Sequence, residues 1–159
     1  MPRRKDLSYI PSPPKQASAY SGKVRDKIGK LEIIVFVAGA VVMILELIGS
    51  RILAPYLGTS IYVWAALIGV ILGALSLGYY LGGRFSATNP KLTFLLQILF
   101  TAGLTILLIT LIKEPVLWFS MGLGVKFGSV IATMSLFTIP SIILGMVSPY
   151  AIRLKIDNI

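Results

Sequence analysis

The chain has 159 residues, with 15 Lys and Arg, 6 Asp and Glu, no His and no Cys, giving a net charge of +9. Hydrophobic residues make up 56% and charged residues 13%, against about 25% charged in an ordinary soluble domain. Such a chain cannot cover a water-facing surface. Without His or Cys it holds no zinc finger, His-ligated haem, iron–sulfur cluster, thiol nucleophile or disulfide.

Residues 52–83, 92–112 and 127–152 contain no charged side chain, and apolar runs of this length read as membrane spans. The expected fold is all-α: a polytopic transmembrane helical bundle of four spans, with a basic disordered N-terminal tail and a short interfacial segment between spans three and four. Residues 1–30 form the tail and residues 31–156 the membrane domain.

The tail carries eight basic residues, from Arg3 to Lys30, against Asp6 and Asp26. Its stretch PSPPKQASAYSG (11–22) has little to bury and reads as disordered. KVRDKIGKL (23–31) reads as a short interfacial helix. The basic region is too long for a signal peptide, and its small residues Ala38, Gly39 and Ala40 lie inside the apolar run, so no cleavage is expected.

The first span is predicted over 33–54, stopped by Pro55, which lacks the N–H that a helix interior needs. APYLGTS (54–60) is then a turn, with Ser60 placed as the N-cap of the second span over 61–82. Tyr62 and Trp64 mark one end of that span and Tyr79 and Tyr80 the other, as aromatic belts do. Asn89 followed by Pro90 reads as the start of the third span, 92–112, which Lys113 and Glu114 close. PVLWFSMGLGV (115–125) is apolar but too short to cross, and is expected as an interfacial or re-entrant segment with Trp118 at headgroup level. The fourth span covers 127–152, with Pro140 placed as a helix kink, and Arg153 and Lys155 mark its exit.

Four spans put both termini on one side. Twelve of the 15 Lys and Arg fall on that side, leaving Arg51, Lys113 and Lys126 on the other. Cytoplasmic loops carry the excess of positive charge, so both termini are expected in the cytoplasm of a multi-pass cell-membrane protein. The tail is then expected to lie on anionic lipid headgroups. Nucleic-acid binding is not expected, since no module for it is present.

Candidate site residues follow from polar groups inside the spans. Glu46 lies well within the first span, where an ionisable group is a functional candidate by default. Arg51 follows five residues later and is placed within reach of it. Thr93, Gln97, Thr101 and Thr105 recur every four residues on the third span, and Gln97 and Thr101 join Glu46 and Arg51 as a candidate intramembrane polar site. Its structural reading is a network that fixes helix packing; its functional reading is a cation or proton site. Ser129, Thr133, Thr138 and Ser141 cluster around Pro140, where a freed carbonyl could open the helix onto a polar cavity. In the second span Gly69 and Gly73 form one G-x-x-x-G pair and Gly78 and Gly82 another, with Ala66 and Ser76 extending the first. Small residues let helices approach closely in lipid, so all four glycines are placed at helix contacts. No catalytic, metal or cofactor-binding residue is assigned, because no P-loop, G-x-G-x-x-G after a strand or G-x-S-x-G is present.

The segment ILELIGSRILAPYLGTSIYVWAALIGVILGALSLGYYLGGR (44–84) resembles the membrane region of spermidine-synthase-like membrane proteins, the fused transporter-like/aminopropyltransferase family. The matching features are Glu46-x-x-x-x-Arg51, LAPYLG (53–58), Tyr62–Val63–Trp64 and LGYYLGGR (77–84). PSIILGMVSPYAIRL (140–154) is similar to the end of that family's fourth helix. The resemblance implies a membrane domain of that family. It does not imply catalysis, because the family's nucleotide-fold domain, which takes decarboxylated S-adenosylmethionine and a polyamine, has no counterpart in these residues. The expected function is therefore a non-catalytic integral membrane subunit or anchor, acting with another membrane or cytoplasmic chain or as a homo-oligomer. The alternative is a small oligomeric transporter-like protein moving a cation or polyamine.

Overall fold

The computed structural model describes residues 15–87 and 91–156, and all its elements are helices: α1 (Lys15–Leu57), α2 (Ile61–Phe85), α3 (Leu92–Met121) and α4 (Gly124–Ile156). Each is long and apolar enough to cross a bilayer, α1 over its part Leu31–Leu57. Expectations for residues 1–14 and for Asn89 and Pro90 fall outside the described residues. The N-cap of α3 is Lys91.

Several boundaries differ from those the sequence predicts. The first helix begins at Lys15, so residues 15–22 are helical where a disordered stretch is predicted. It also runs through Pro55 to Leu57. A proline in the last turn forfeits one backbone bond without blocking the residues after it. What ends α1 is Gly58, with φ 79°, whose N–H donates to the Ala54 carbonyl at 3.0 Å. This left-handed conformation is one that glycine adopts without steric cost. Ser60 holds the N-cap position of α2 but its hydroxyl caps nothing; its carbonyl instead accepts from Val63 and Trp64.

The predicted interfacial segment 115–125 is no separate element. Residues 115–121 continue α3 past Lys113, Glu114 and Pro115, and α4 restarts at Gly124 with φ 76°. Charges at a membrane boundary mark where lipid ends, not where the backbone stops being helical. Trp118 is exposed near that end. The fourth helix passes through both Pro140 and Pro149 as one helix, with Pro140 buried.

The bundle is built on α4. It packs most extensively against α2, then against α3 and α1; α1 touches all three others, while the backbones of α2 and α3 do not approach each other closely. The tightest crossing is between α2 and α4. A Cβ on Gly78 would collide with the Ile142 carbonyl oxygen and stand 2.9 Å from the Cα of Gly145. A Cβ on Gly82 would stand 2.7 Å from the Met146 carbonyl oxygen. In turn, one on Gly145 would lie 2.9 Å from the Leu75 carbonyl oxygen. Elsewhere Gly128 meets the Ser120 carbonyl where α4 crosses α3, and Gly49 lets α1 rest on Leu67 and Phe137. Phe137, Leu67, Ile71, Leu136 and Val147 fill the space between the helices.

Gly69 and Gly73 do not share this contact. Both are exposed, and a Cβ on either meets nothing within 4 Å. Five residues separate Gly73 from Gly78, which is about 140° around a helix, so the two glycine pairs face different directions. Gly78→Leu is therefore expected to lower the unfolding temperature in detergent sharply or to abolish folding, since overpacking alone costs about 1–3 kcal/mol. Gly73→Leu is expected to leave that temperature unchanged in the isolated chain; an equal fall in both variants would contradict this packing.

Candidate functional site

The two ends of the bundle carry most of its polar side-chain contacts. At one end, here the near end, lie Leu31, Phe85, Leu92 and Ile156; at the far end lie the turns 58–60 and 122–123. Near-end contacts tie α4 to its neighbours. Lys155 Nζ, on a half-buried residue, pairs with exposed Glu32 Oε1 at 2.9 Å, a surface contact of a type that contributes at most about 1 kcal/mol. Tyr150, only 2% exposed, uses its hydroxyl twice: it accepts from the Lys91 N–H at 2.8 Å and donates to the Lys91 carbonyl at 3.2 Å. Its ring lies 5.2 Å from that of Phe94, which lies 6.3 Å from that of Phe85. This chain of rings joins α2, α3 and α4.

At the far end, the Tyr56 hydroxyl donates to Glu114 Oε2 at 3.0 Å, linking α1 to α3. Lys126 Nζ sits 5.1 Å above the centre of the Tyr62 ring, linking α4 to α2. Neither pairing was anticipated from the sequence. The signal available was weak: an aromatic and a charge, each close to a predicted span end on the same side.

The candidate intramembrane site is not assembled. Glu46 is half-buried at the edge of the α1 stripe formed by Ala38, Leu45, Gly49 and Leu53. Among the described residues it makes no hydrogen bond or ion pair. The expected Glu46–Arg51 pairing is absent for a geometric reason: five residues on a helix turn the side chain through about 140°. Arg51 instead lines a far-end cleft. Gln97 and Thr101 are both exposed on the outside of α3, and Thr101 Oγ1 donates to the Gln97 carbonyl at 2.8 Å. The four residues thus point to separate surroundings.

Of the hydroxyls grouped around Pro140, those of Ser129 and Thr133 turn to their own helix. Ser129 donates to the Val125 carbonyl, and Thr133 to the Ser129 carbonyl at 2.7 Å. The hydroxyls of Thr138 and Ser141 are buried without a partner. Bonds from a helix side chain to its own i−4 carbonyl satisfy the hydroxyl without joining two helices.

Two cavities open between helices. One, of 390 Å³, lies in the α1–α2 hairpin at the far end and is lined by Ser50, Arg51, Thr59 and Trp64 among others. The other, of 240 Å³, lies between α1, α2 and α4 towards the near end, with Gly39, Val42, Tyr79, Gly145 and Ser148 in its wall. Among the described residues no group of acidic side chains stands close enough together to hold a metal ion. Chemically, the arrangement offers interfacial anchoring at both ends and one isolated carboxylate between them. Comparison with known protein families, with curated proteins and with solved structures brings out no match to this chain.

Because Glu46 holds no partner among the described residues, Glu46→Gln and Glu46→Leu are both expected to change stability by under about 0.5 kcal/mol, the range of substitutions away from any network. Thermal unfolding of both variants in detergent checks this. A loss of several kcal/mol in Glu46→Leu alone would mean that the carboxylate bonds to a group outside these residues.

Proposed function

We propose that the chain is a non-catalytic integral membrane subunit or anchor, akin to the membrane half of spermidine-synthase-like proteins, which works against a partner helix. The observation that carries this reading is the uncovered small-residue face of α2. Gly69 and Gly73 are exposed with open space where a side chain would be, a surface that suits close approach by another helix. The exposed Thr93, Gln97 and Thr101 on α3 support it further, because polar groups on a helix surface in lipid gain by bonding across to a neighbour. The partner is a second membrane or cytoplasmic chain, or another copy of this one.

Purification in mild detergent tests the reading. The wild type is expected to elute with a stoichiometric second chain or as a homo-oligomer. Gly73→Leu is expected to elute as a monomer with an unchanged unfolding temperature. A wild-type monomer would overturn it. Uptake of a polyamine into liposomes by the purified chain, lost in Glu46→Gln, would instead favour the small transporter-like alternative.

The orientation rests on charge. Twelve of the 15 Lys and Arg fall on the side of the two termini in a four-span topology, which supports the reading of a multi-pass cell-membrane protein with both termini in the cytoplasm. Cysteine labelling in intact cells is expected to modify Thr59→Cys from outside and Ser86→Cys only after permeabilisation; the reverse pattern would invert the topology.

A further inference from the structure

We propose that the far-end cleft of the α1–α2 hairpin binds a phosphate-bearing anion, with Arg51 as its principal ligand. Four observations converge on it. The cleft measures 390 Å³ and brings Arg51 together with Ser50, Pro55, Thr59, Val63 and Trp64. Arg51 has no ion pair or hydrogen bond among the described residues, so its planar fork of donors is free. A guanidinium matches two oxygens of a phosphate at once.

The cleft also opens beside the first turn of α2. That turn contains no acidic residue, and Ser60 makes no side-chain cap. The first turn of α2 thus brings the positive end of a helix dipole to the cleft with no acidic side chain of its own. The nearest carboxylate on α1, Glu46, lies about 140° around the helix from Arg51. Near the C-terminus of α1, the Ala54 carbonyl is bonded to the Gly58 N–H.

The walls narrow the choice of anion. Val63, Ala54 and Pro55 are apolar, and the ring of Trp64 is of the kind that settles at headgroup level. A phosphodiester with an apolar body therefore suits the cleft better than a fully hydrated ion. The source is either a lipid headgroup or soluble phosphate, and the two are separable. This inference does not depend on the partner helix proposed above.

The test uses the full chain in a neutral detergent. Bound molecules are counted by native mass spectrometry with phosphatidylglycerol, with a diacylglycerol of the same tails, and with inorganic phosphate. The wild type is expected to retain one phosphatidylglycerol and no diacylglycerol. Arg51→Gln is expected to bind phosphatidylglycerol about tenfold more weakly, the scale of one lost charge-assisted hydrogen bond. Arg153→Gln, which removes a cation at the opposite end, is expected to bind like the wild type. Inorganic phosphate that displaces the lipid, and whose binding falls in Arg51→Gln, would assign the site to a soluble phosphate. If Arg51→Gln does not fold, Thr59→Val provides the comparison and is expected to weaken binding by a smaller factor. Equal retention of phosphatidylglycerol in wild type and Arg51→Gln, or of diacylglycerol and phosphatidylglycerol in the wild type, would overturn the proposal.

Discussion

The close backbone approach of α2 to α4 is the constraint on which the remaining packing rests. At Gly78, Gly82 and Gly145 the two helices are separated by less than any side chain requires. In lipid no hydrophobic force draws helices together, so van der Waals contact between backbones is a main source of cohesion. With α2 seated there, α4 is fixed at the centre, and α1 and α3 take its remaining sides without a close backbone approach of α2 to α3. The hydroxyls of Ser129 and Thr133 do not add to this cohesion, since they bond within α4. The helices are thus held by close backbone approach at a few glycines and by polar and aromatic contacts at their ends.

The number and order of the helices are legible in the sequence because charge is costly in hydrocarbon: windows without Asp, Glu, Lys or Arg mark the last three spans directly, and the first shows as an apolar run interrupted only by Glu46 and Arg51. The ends of the helices are less legible. Lys113, Glu114 and Pro115 read as a stop, yet α3 continues to Met121, because a helix can leave the membrane and persist in the interface. Pro55 misleads for a related reason, being close enough to the C-terminus of α1 for one lost bond to be tolerated.

The polar site was harder to read than the fold. In a soluble helix the apolar stripe reports which face is inside; in these helices both faces are apolar, so rotation about the axis is concealed. Gln97 and Thr101 therefore look like lining residues from spacing alone and lie on the outside. The angle between Glu46 and Arg51 was available from helix geometry and argues against their pairing. The glycine pairs show the same limit: the motif indicates that a backbone can come close but not whose. Gly145, which completes the Gly78 contact, belongs to no G-x-x-x-G pair.

The bond between Tyr150 and Lys91 differs from the other end contacts in what it recognises. Both of its hydrogen bonds go to the main chain of residue 91, which every amino acid but proline supplies in full. Position 91 can therefore drift freely among related sequences while Tyr150 stays put, and a basic side chain there is retained only if topology requires it. The fold of α3 onto α4 is in this way insulated from selection on the charge of the loop. Orientation in the bilayer and packing of the bundle can evolve at the same position without interfering with each other.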